Sequence, residues 1–548
     1  MMGYWKDNKV VATFWAFVAL YVAVMLIYPR LAPNDDFVFL RTLQAGNPVW
    51  YYSDNFPYYD ATAFGRFTPL VPMEYNFAWL FSSNPSPLWY YGFHALQFLA
   101  LMWAALKLFK GAANSKYTPY AAATLLTLMP GFAIAFFRLQ MNERNVLAYL
   151  ALFLLAYSYY LIERRWQYAA LSLFFANLAI YYKEVAFIPI GVFAFAHLVL
   201  SWRSSDKKTR VLDVALWLSS VLYLILYYVL VYSVKSRAYI PIFYNVYLVL
   251  AKNILNYALF SDPFIFVVAL PLTLYRTYRI FVRRDIAHPY YDSMLAVIPV
   301  YIAAFLALKL YSPYYLLPTY IMALPPVLYF FSRINYGPVT YWIWRGLWAT
   351  AGFFILTNSI PAGLHYITYQ KYLGINFNKT LDVLEERVPK SPAAETKTNI
   401  FLDGVDIGTG RGTYFIFAEF LNYRGLGSDA LDLKSNVLTP KPEPLAGKVN
   451  FPYTVFNSDA PSEVQSGDYL VVTPQRETNR GIAHLAELKK DYTLVLETKS
   501  PFAFPNVTLK SLIKFIASSL LSRDKTSNGL IVNETIIEDP DYYIFVKK

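Results

Sequence analysis

VVATFWAFVALYVAVMLIYPRLAPNDDF, residues 10–37, is the stretch whose reading decides the fold. Its first nineteen residues, Val10 to Tyr28, carry no charge. As a helix they are long enough to cross a bilayer core roughly 30 Å thick. Just beyond stand two adjacent carboxylates, Asp35 and Asp36. Carboxylates are costly in lipid, so the pair faces water or a protein cavity at a membrane surface. The apolar segment lacks a small-residue cleavage site and is too long for a signal-peptide core, which predicts a retained first span.

The same pattern recurs along the chain. Of its 548 residues, 57% are hydrophobic, 19% aromatic and only 15% charged, against about a quarter charged in soluble domains. Apolar runs predict about eleven spans, at 10–29, 87–106, 118–137, 146–162, 166–182, 185–202, 211–234, 262–282, 291–310, 314–332 and 339–361. The fold class is a polytopic α-helical membrane protein. The net charge of +12 does not indicate nucleic-acid binding, because the basic residues lie mostly in short loops where orientation and anionic lipid explain them. No cysteine is present, which excludes disulfides, thiolate metal sites and cysteine nucleophiles.

Loop charge sets the expected orientation. Lys6 and Lys9, then Lys107, Lys110 and Lys116, Arg164 and Arg165, Arg203 to Arg210, Arg276 to Arg284 and Arg333 fall on one side. By the positive-inside rule that side is cytoplasmic. The alternation holds throughout if Pro241–Phe260, with Lys252, Asn253 and Asn256, is an outer-surface helix instead of a span. The outer side then receives loop 30–86, with Asp35, Asp36, Asp54, Asp60, Arg66 and Glu74. It also receives Arg138 to Arg144, Lys183-Glu184, Lys235 to Arg237 and Lys309 to Tyr315. Residues 69–81 are too interrupted to span and suit short helices lying in the interface.

Near residue 370 the composition becomes water-soluble, dividing the chain into a transmembrane domain (1–370) and an extracytoplasmic α/β domain (371–548). Asn399–Leu402, Asp468–Val472, Tyr492–Leu496 and Tyr542–Val546 read as strands, and 412–424, 479–489 and 508–522 as helices.

Several constellations carry chemistry. Asp35 and Asp36 either mark the exit of a span or supply a base; the loop after them is rich in Tyr, Trp and Asp. That composition suits sugar recognition, and a carboxylate at the interface can deprotonate an acceptor hydroxyl. Lys183 can hold a lipid phosphate with Glu184 orienting it, or the two can pair with each other. Arg138, Asn142, Glu143 and Arg144 crowd one turn, and arginine grips phosphate bidentately. The plainer reading is that Asn142 or Asn145 starts the next helix. Lys309 precedes Tyr311, Tyr314 and Tyr315 at another span end, where tyrosines are common anchors.

Gly404-Val-Asp-Ile-Gly-Thr-Gly-Arg-Gly412 lacks the dinucleotide-binding spacing and reads as a strand-to-helix turn. Asn378-Lys-Thr, Asn506-Val-Thr and Asn533-Glu-Thr match the glycosylation sequon. The five histidines, at 94, 197, 288, 365 and 484, show no metal-ligand spacing. No cofactor is indicated, and only carboxylates remain as ligands should a divalent cation sit at the acidic pair.

Taken together, the chain resembles the GT-C superfamily of polyprenyl-phosphate-sugar-dependent membrane glycosyltransferases. The resemblance rests on Asp35-Asp36 opening the first outer loop, the turn at Glu143-Arg144, Tyr182-Lys183-Glu184, Tyr314-Tyr-Leu-Leu-Pro318 and the C-terminal domain. Within that superfamily it is similar to glucosyltransferases that decorate surface polysaccharide and to the protein mannosyltransferase and aminoarabinose transferase group. It lacks the Trp-Trp-Asp motif of oligosaccharyltransferase catalytic subunits. The resemblance implies transfer of a hexosyl or pentosyl group from a polyprenyl-phosphate carrier to a cell-surface glycan, lipid or protein, with inversion. It also implies an acid of the Asp35-Asp36 pair as base and Lys183, Arg138 or Lys309 on the departing phosphate; Arg66, Glu143, Arg144, Glu184, Tyr314 and Tyr315 complete the expected binding set. Tyr314-Tyr315 stands where the superfamily usually has Arg-Tyr, so which cation holds the phosphate stays open. Rival readings are a transporter or flippase of lipid-linked sugars, which mid-span charges and broken helices would favour, and a surface-glycan polymerase or ligase.

Overall fold

The computed structural model describes residues 2–34, 36, 39, 40, 43, 46, 48, 67–71, 73–231, 246–333, 338–389, 397–403, 411–427, 430–435, 463–474, 482–513, 516 and 540–548. Asp35, Arg66, Lys235 to Arg237, Asn533 and most of the glycine-rich turn at 404–412 lie outside these residues.

Every expected span coincides with a helix. The first, α1 (Met2–Leu26), ends just before Pro29, as the restriction proline places on its predecessor requires. The second, α2 (Pro87–Ala112), begins on a proline, where the missing N–H costs nothing. The expected span 118–137 is broken into α3 (Thr118–Leu128) and α4 (Pro130–Phe137), bent by 66°. Pro130 cannot donate to the preceding turn, so the ladder breaks there. Next come α5 (Asn142–Glu163), α6 (Trp166–Tyr182), α7 (Phe187–Ser201) and α8 (Lys207–Leu230). The short helix α9 (Val246–Leu255) leads through π-helical turns into α10 (Leu270–Phe281). They are followed by α11 (Pro289–Ala307), α12 (Leu317–Phe331), α13 (Pro338–Phe354) and α14 (Ile360–Arg387). Among the described residues eight helices are long and apolar enough to cross a membrane, and nine if α3 and α4 count as one span; α6 and α12, with 17 and 15 residues, are shorter. The chain is a multi-pass α-helical membrane protein.

The last span departs most from expectation. Instead of ending near 361, α13 joins α14 through a π-helical turn, Ile355–Ser359, to give a helix of 48 residues, Thr340–Arg387. It runs straight through residue 370.

Helices in lipid gain little from burying apolar surface against one another, so close packing and polar ties fix their arrangement. Two glycines permit such packing at the α3–α4 bend. A Cβ on Gly131 would lie 2.3 Å from Pro313 O, and one on Gly363 would lie 1.9 Å from Leu128 O. Polar ties join the helices at the opposite end. Arg276 grips Asp292 with Nε and Nη2 at 2.8 and 2.7 Å. Tyr157 donates to Asp213 Oδ1 at 2.5 Å, and His197 Nδ1 lies 2.9 Å from Oδ2.

Beyond α14 lies a five-stranded mixed sheet, ordered β2-β1-β3-β5-β4. Its strands are β1 (Thr398–Leu402), β2 (Leu431–Ser435), β3 (Tyr469–Val472), β4 (Tyr492–Glu497) and β5 (Tyr543–Lys547). β1 pairs in parallel with β2 and β3, while β5 runs antiparallel to β3 and β4. The helices α15 (Arg411–Tyr423) and α16 (Ile482–Asp491) flank the sheet. The four expected strands and both of these helices are present; of 508–522, residues 509–513 and 516 are helical, while 514, 515 and 517–522 lie outside the described residues. β2 was not legible, because LDLKS alternates over only five residues and carries two charges.

Asn376 on α14 ties helix to sheet. Its Nδ2 donates to Ser500 Oγ, Pro540 O and Asp541 Oδ1 at 2.8, 3.1 and 2.8 Å. Arg424 adds contacts to Asp382, Glu385 and Asn378. The sequon residue Asn378 is itself engaged: its Nδ2 donates to Leu31 O and Gly374 O, both at 2.8 Å. That amide packs α14 against the segment after α1.

Candidate functional site

The polar residues expected at one side of the membrane converge on the N-terminus of α5, at the sheet-bearing end of the bundle. Three consecutive residues there, Glu143, Arg144 and Asn145, are buried; Arg144 and Asn145 share Glu74, while Glu143 turns to Lys183.

Arg144 is the centre of a buried network. Its Nη2 meets Glu74 Oε1 at 2.6 Å, and Nε donates to Gln97 Oε1 at 2.6 Å. Nη1 donates to His94 Nε2, while His94 Nδ1 faces Phe136 O at 3.1 Å. Asn145 Nδ2 reaches both oxygens of Glu74, at 3.0 and 3.1 Å. Tyr75 donates to Leu139 O at 2.5 Å. Burial pushes the Tyr75 hydroxyl pKa well up; Arg144 opposes that shift, while Glu74 and Asp36 reinforce it. Asp36 therefore stands within electrostatic reach of this cluster. Glu74 belongs to a 3₁₀ helix, Met73–Leu80, which buries Glu74, Tyr75 and Ala78 and exposes Phe77 and Leu80. The expected short helix within 69–81 is present as this 3₁₀ helix. The guanidinium of Arg144 is thus committed to protein partners and is not among the groups lining the adjacent cavity.

Glu143 turns the other way and forms a 3.0 Å ion pair with Lys183, both side chains under 10% exposed. Lys183 thus pairs across helices with Glu143. Glu184, half-buried, lies with Glu143 in electrostatic reach of Tyr301.

A cavity of about 380 Å³ opens beside these groups, between the bundle and the sheet. From the expected set it takes Arg138, at the end of α4, and Tyr314. Asn34 and Gln370 face each other across one wall, Nδ2 to Oε1 at 3.3 Å. Tyr366, Tyr369 and Tyr542 add aromatic surface, and Thr473 and Pro474 close it from the end of β3. Asp36 lies two residues beyond Asn34, 1% exposed, with Oδ2 accepting from Ala32 N at 2.8 Å. Lys309 and Tyr315 do not line the cavity: Lys309 O accepts from Asn253, and Tyr315 stacks on Phe305.

The cavity thus offers tyrosine faces, paired amides and one guanidinium, a set that takes a polar, ring-containing ligand bearing an anionic group. Sequence reasoning missed its α14 wall. Tyr366, Tyr369, Gln370, Leu373 and Phe377 recur at helical spacing, a readable stripe, but placing the span end at 361 hid it. Among the described residues no group of three or more His, Asp or Glu is placed to hold a metal ion.

No protein-family profile and no curated protein matches the chain. Solved structures do. The apo oligosaccharyltransferase of Archaeoglobus fulgidus is 15% identical, with a TM-score of 0.39, covering 74% of this chain. This chain spans only 64% of that protein's length. An Archaeoglobus fulgidus AglB complex with an inhibitory peptide and a dolichol-phosphate is 13% identical, covering 91% of this chain and 74% of that one at a TM-score of 0.38. ArnT from Cupriavidus metallidurans bound to undecaprenyl phosphate is 12% identical, covering 89% of this chain and 95% of that one at a TM-score of 0.41.

Proposed function

We propose that the protein is a membrane glycosyltransferase that moves a sugar from a polyprenyl-phosphate carrier to an acceptor hydroxyl on the extracytoplasmic face. The observation that carries the reading is the cavity at the sheet-bearing end of the spans. It joins Arg138, four tyrosines and the Asn34–Gln370 pair, and lies two residues from Asp36. A carboxylate of the Asp35–Asp36 pair takes the acceptor proton. The acceptor oxygen then bonds to the anomeric carbon as the bond from that carbon to phosphate oxygen breaks, inverting the centre. Arg138 stabilises the departing polyprenyl phosphate, and the tyrosines stack on the sugar ring.

The test is direct. Purified protein in lipid is incubated with a panel of polyprenyl-phosphate sugars, and consumption of each is followed. At least one of Asp35→Asn and Asp36→Asn, each folded, loses transfer by roughly a hundred- to ten-thousand-fold. Arg138→Met weakens polyprenyl-phosphate binding. Near-normal turnover in both aspartate variants, or no donor consumed, overturns the proposal.

A further inference from the structure

Among its described residues the sheet region keeps most of its large apolar side chains inside. Among its described residues, the exposed large apolar side chains other than Tyr423 all fall within fifteen positions: Phe502, Phe504, Val507, Leu512, Ile513 and Ile516. Phe502 is 78% exposed. A water-facing domain rarely concentrates such a patch unless something covers it.

The placement of this segment names the covering. It docks on the transmembrane helices through its backbone and one lysine. Phe504 N donates to Thr368 Oγ1 at 2.9 Å, and His365 Nδ1 lies 2.8 Å from Phe504 O. Lys510 N donates to Asn358 Oδ1 at 3.0 Å, and its Nζ to Asn256 Oδ1 at 2.7 Å. Asn358 stands two residues from Leu356, which is 67% exposed on the last span, and Asn256 directly follows α9, whose Tyr247, Leu248 and Leu255 are exposed as well. The patch therefore continues apolar surface that belongs to helices at the membrane. Lys510 holds its ammonium 5.0 Å from the Phe260 ring centre, the posture of a cation that keeps its stem in apolar surroundings and its head at the polar boundary.

We infer that residues 502–513, with Ile516, form an interfacial lipid anchor, seated among the headgroups and upper acyl chains of the leaflet on the sheet-bearing side. Segments with an apolar face and a basic residue bind this layer without crossing it. The anchor gives the sheet a second attachment to the bilayer besides α14, on the side of α14 occupied by α9.

The cysteine-free chain allows a clean test. Phe502→Cys, Ile513→Cys and, as a water-facing control, Glu487→Cys are each spin-labelled in full-length protein. The protein is reconstituted in phosphatidylcholine–phosphatidylglycerol vesicles. Collision rates are measured with oxygen, which concentrates in lipid, and with a water-soluble nickel chelate. The labels at 502 and 513 favour oxygen over nickel by several-fold relative to the label at 487. Equal nickel access at all three positions overturns the inference. So does dipolar broadening at 502 and 513, which would mean a second copy covers the patch. No turnover enters the readout, so the anchor stands or falls independently of the proposed reaction.

Discussion

Removing Glu74 isolates what holds the site's framework together. The Arg144 and Glu74 side chains are 1% and 9% exposed and meet at 2.6 Å. In Glu74→Ala the guanidinium stays buried with only neutral acceptors, among them Gln97 Oε1, Asn145 Oδ1, His94 Nε2, the Tyr75 hydroxyl and Leu139 O, and Asn145 Nδ2 loses both its acceptors. Breaking one side of a buried pair costs roughly 3–5 kcal/mol. Arg144→Met costs about the same, because it strands the Glu74 carboxylate. Replacing both partners removes both stranded charges, so Glu74→Ala with Arg144→Met loses no more than either single variant. Glu74→Gln keeps an acceptor for Arg144 and Asn145 and loses only the charge, for a smaller loss of about 1–3 kcal/mol. Equilibrium unfolding in mixed micelles measures all four. Additive losses, or a Glu74→Ala protein of near-normal stability, would refute the reasoning that this cluster is one coupled unit.

Three further outcomes follow from the geometry. Lys183→Met leaves the buried Glu143 carboxylate without its cation and lowers the melting temperature, the loss being roughly 3–5 kcal/mol, while polyprenyl-phosphate binding is unchanged; weakened binding in a stably folded variant would return Lys183 to the phosphate. Gly363→Ala places a Cβ 1.9 Å from Leu128 O, forcing α14 away from the α3–α4 bend at a cost of about 1–3 kcal/mol and slowing turnover more than a control alanine at exposed Gly346, where no atom lies within 4 Å. A cysteine at Ser466, in an exposed turn before β3, reacts with an impermeant thiol reagent in intact cells; labelling only after lysis would place the sheet in the cytoplasm.

The membrane character, the eleven helical stretches and four of the five strands were legible because each rests on a local signal: an uncharged run, or alternation over several residues. The convergence of Arg138, Glu143, Arg144 and Lys183 on one end of the bundle was legible from loop charge. Their partners were not. Glu74 lies 70 residues from Arg144, and Lys183 lies forty from Glu143, separations at which no periodicity speaks. Lys183-Glu184 read as a natural pair because the two are neighbours in the chain. The 3₁₀ turn that follows α6 instead leaves Lys183 facing the start of α5.

The helix Thr340–Arg387 has a mechanical consequence. At 1.5 Å per residue its 48 residues extend about 70 Å, more than twice the thickness of a bilayer core. The sheet is tied to the far half of this mast by Asn376 and Arg424. Compliance is concentrated at the π-helical turn Ile355–Ser359, where the regular ladder is interrupted. Beyond it α14 is a lever of 28 residues, so a tilt of about ten degrees carries its far end roughly 7 Å. Gln370, Leu373 and Phe377 sit on that lever and line the cavity. A tilt of α14 at that turn therefore moves one wall of the cavity, so the turn and the cavity's width are geometrically linked.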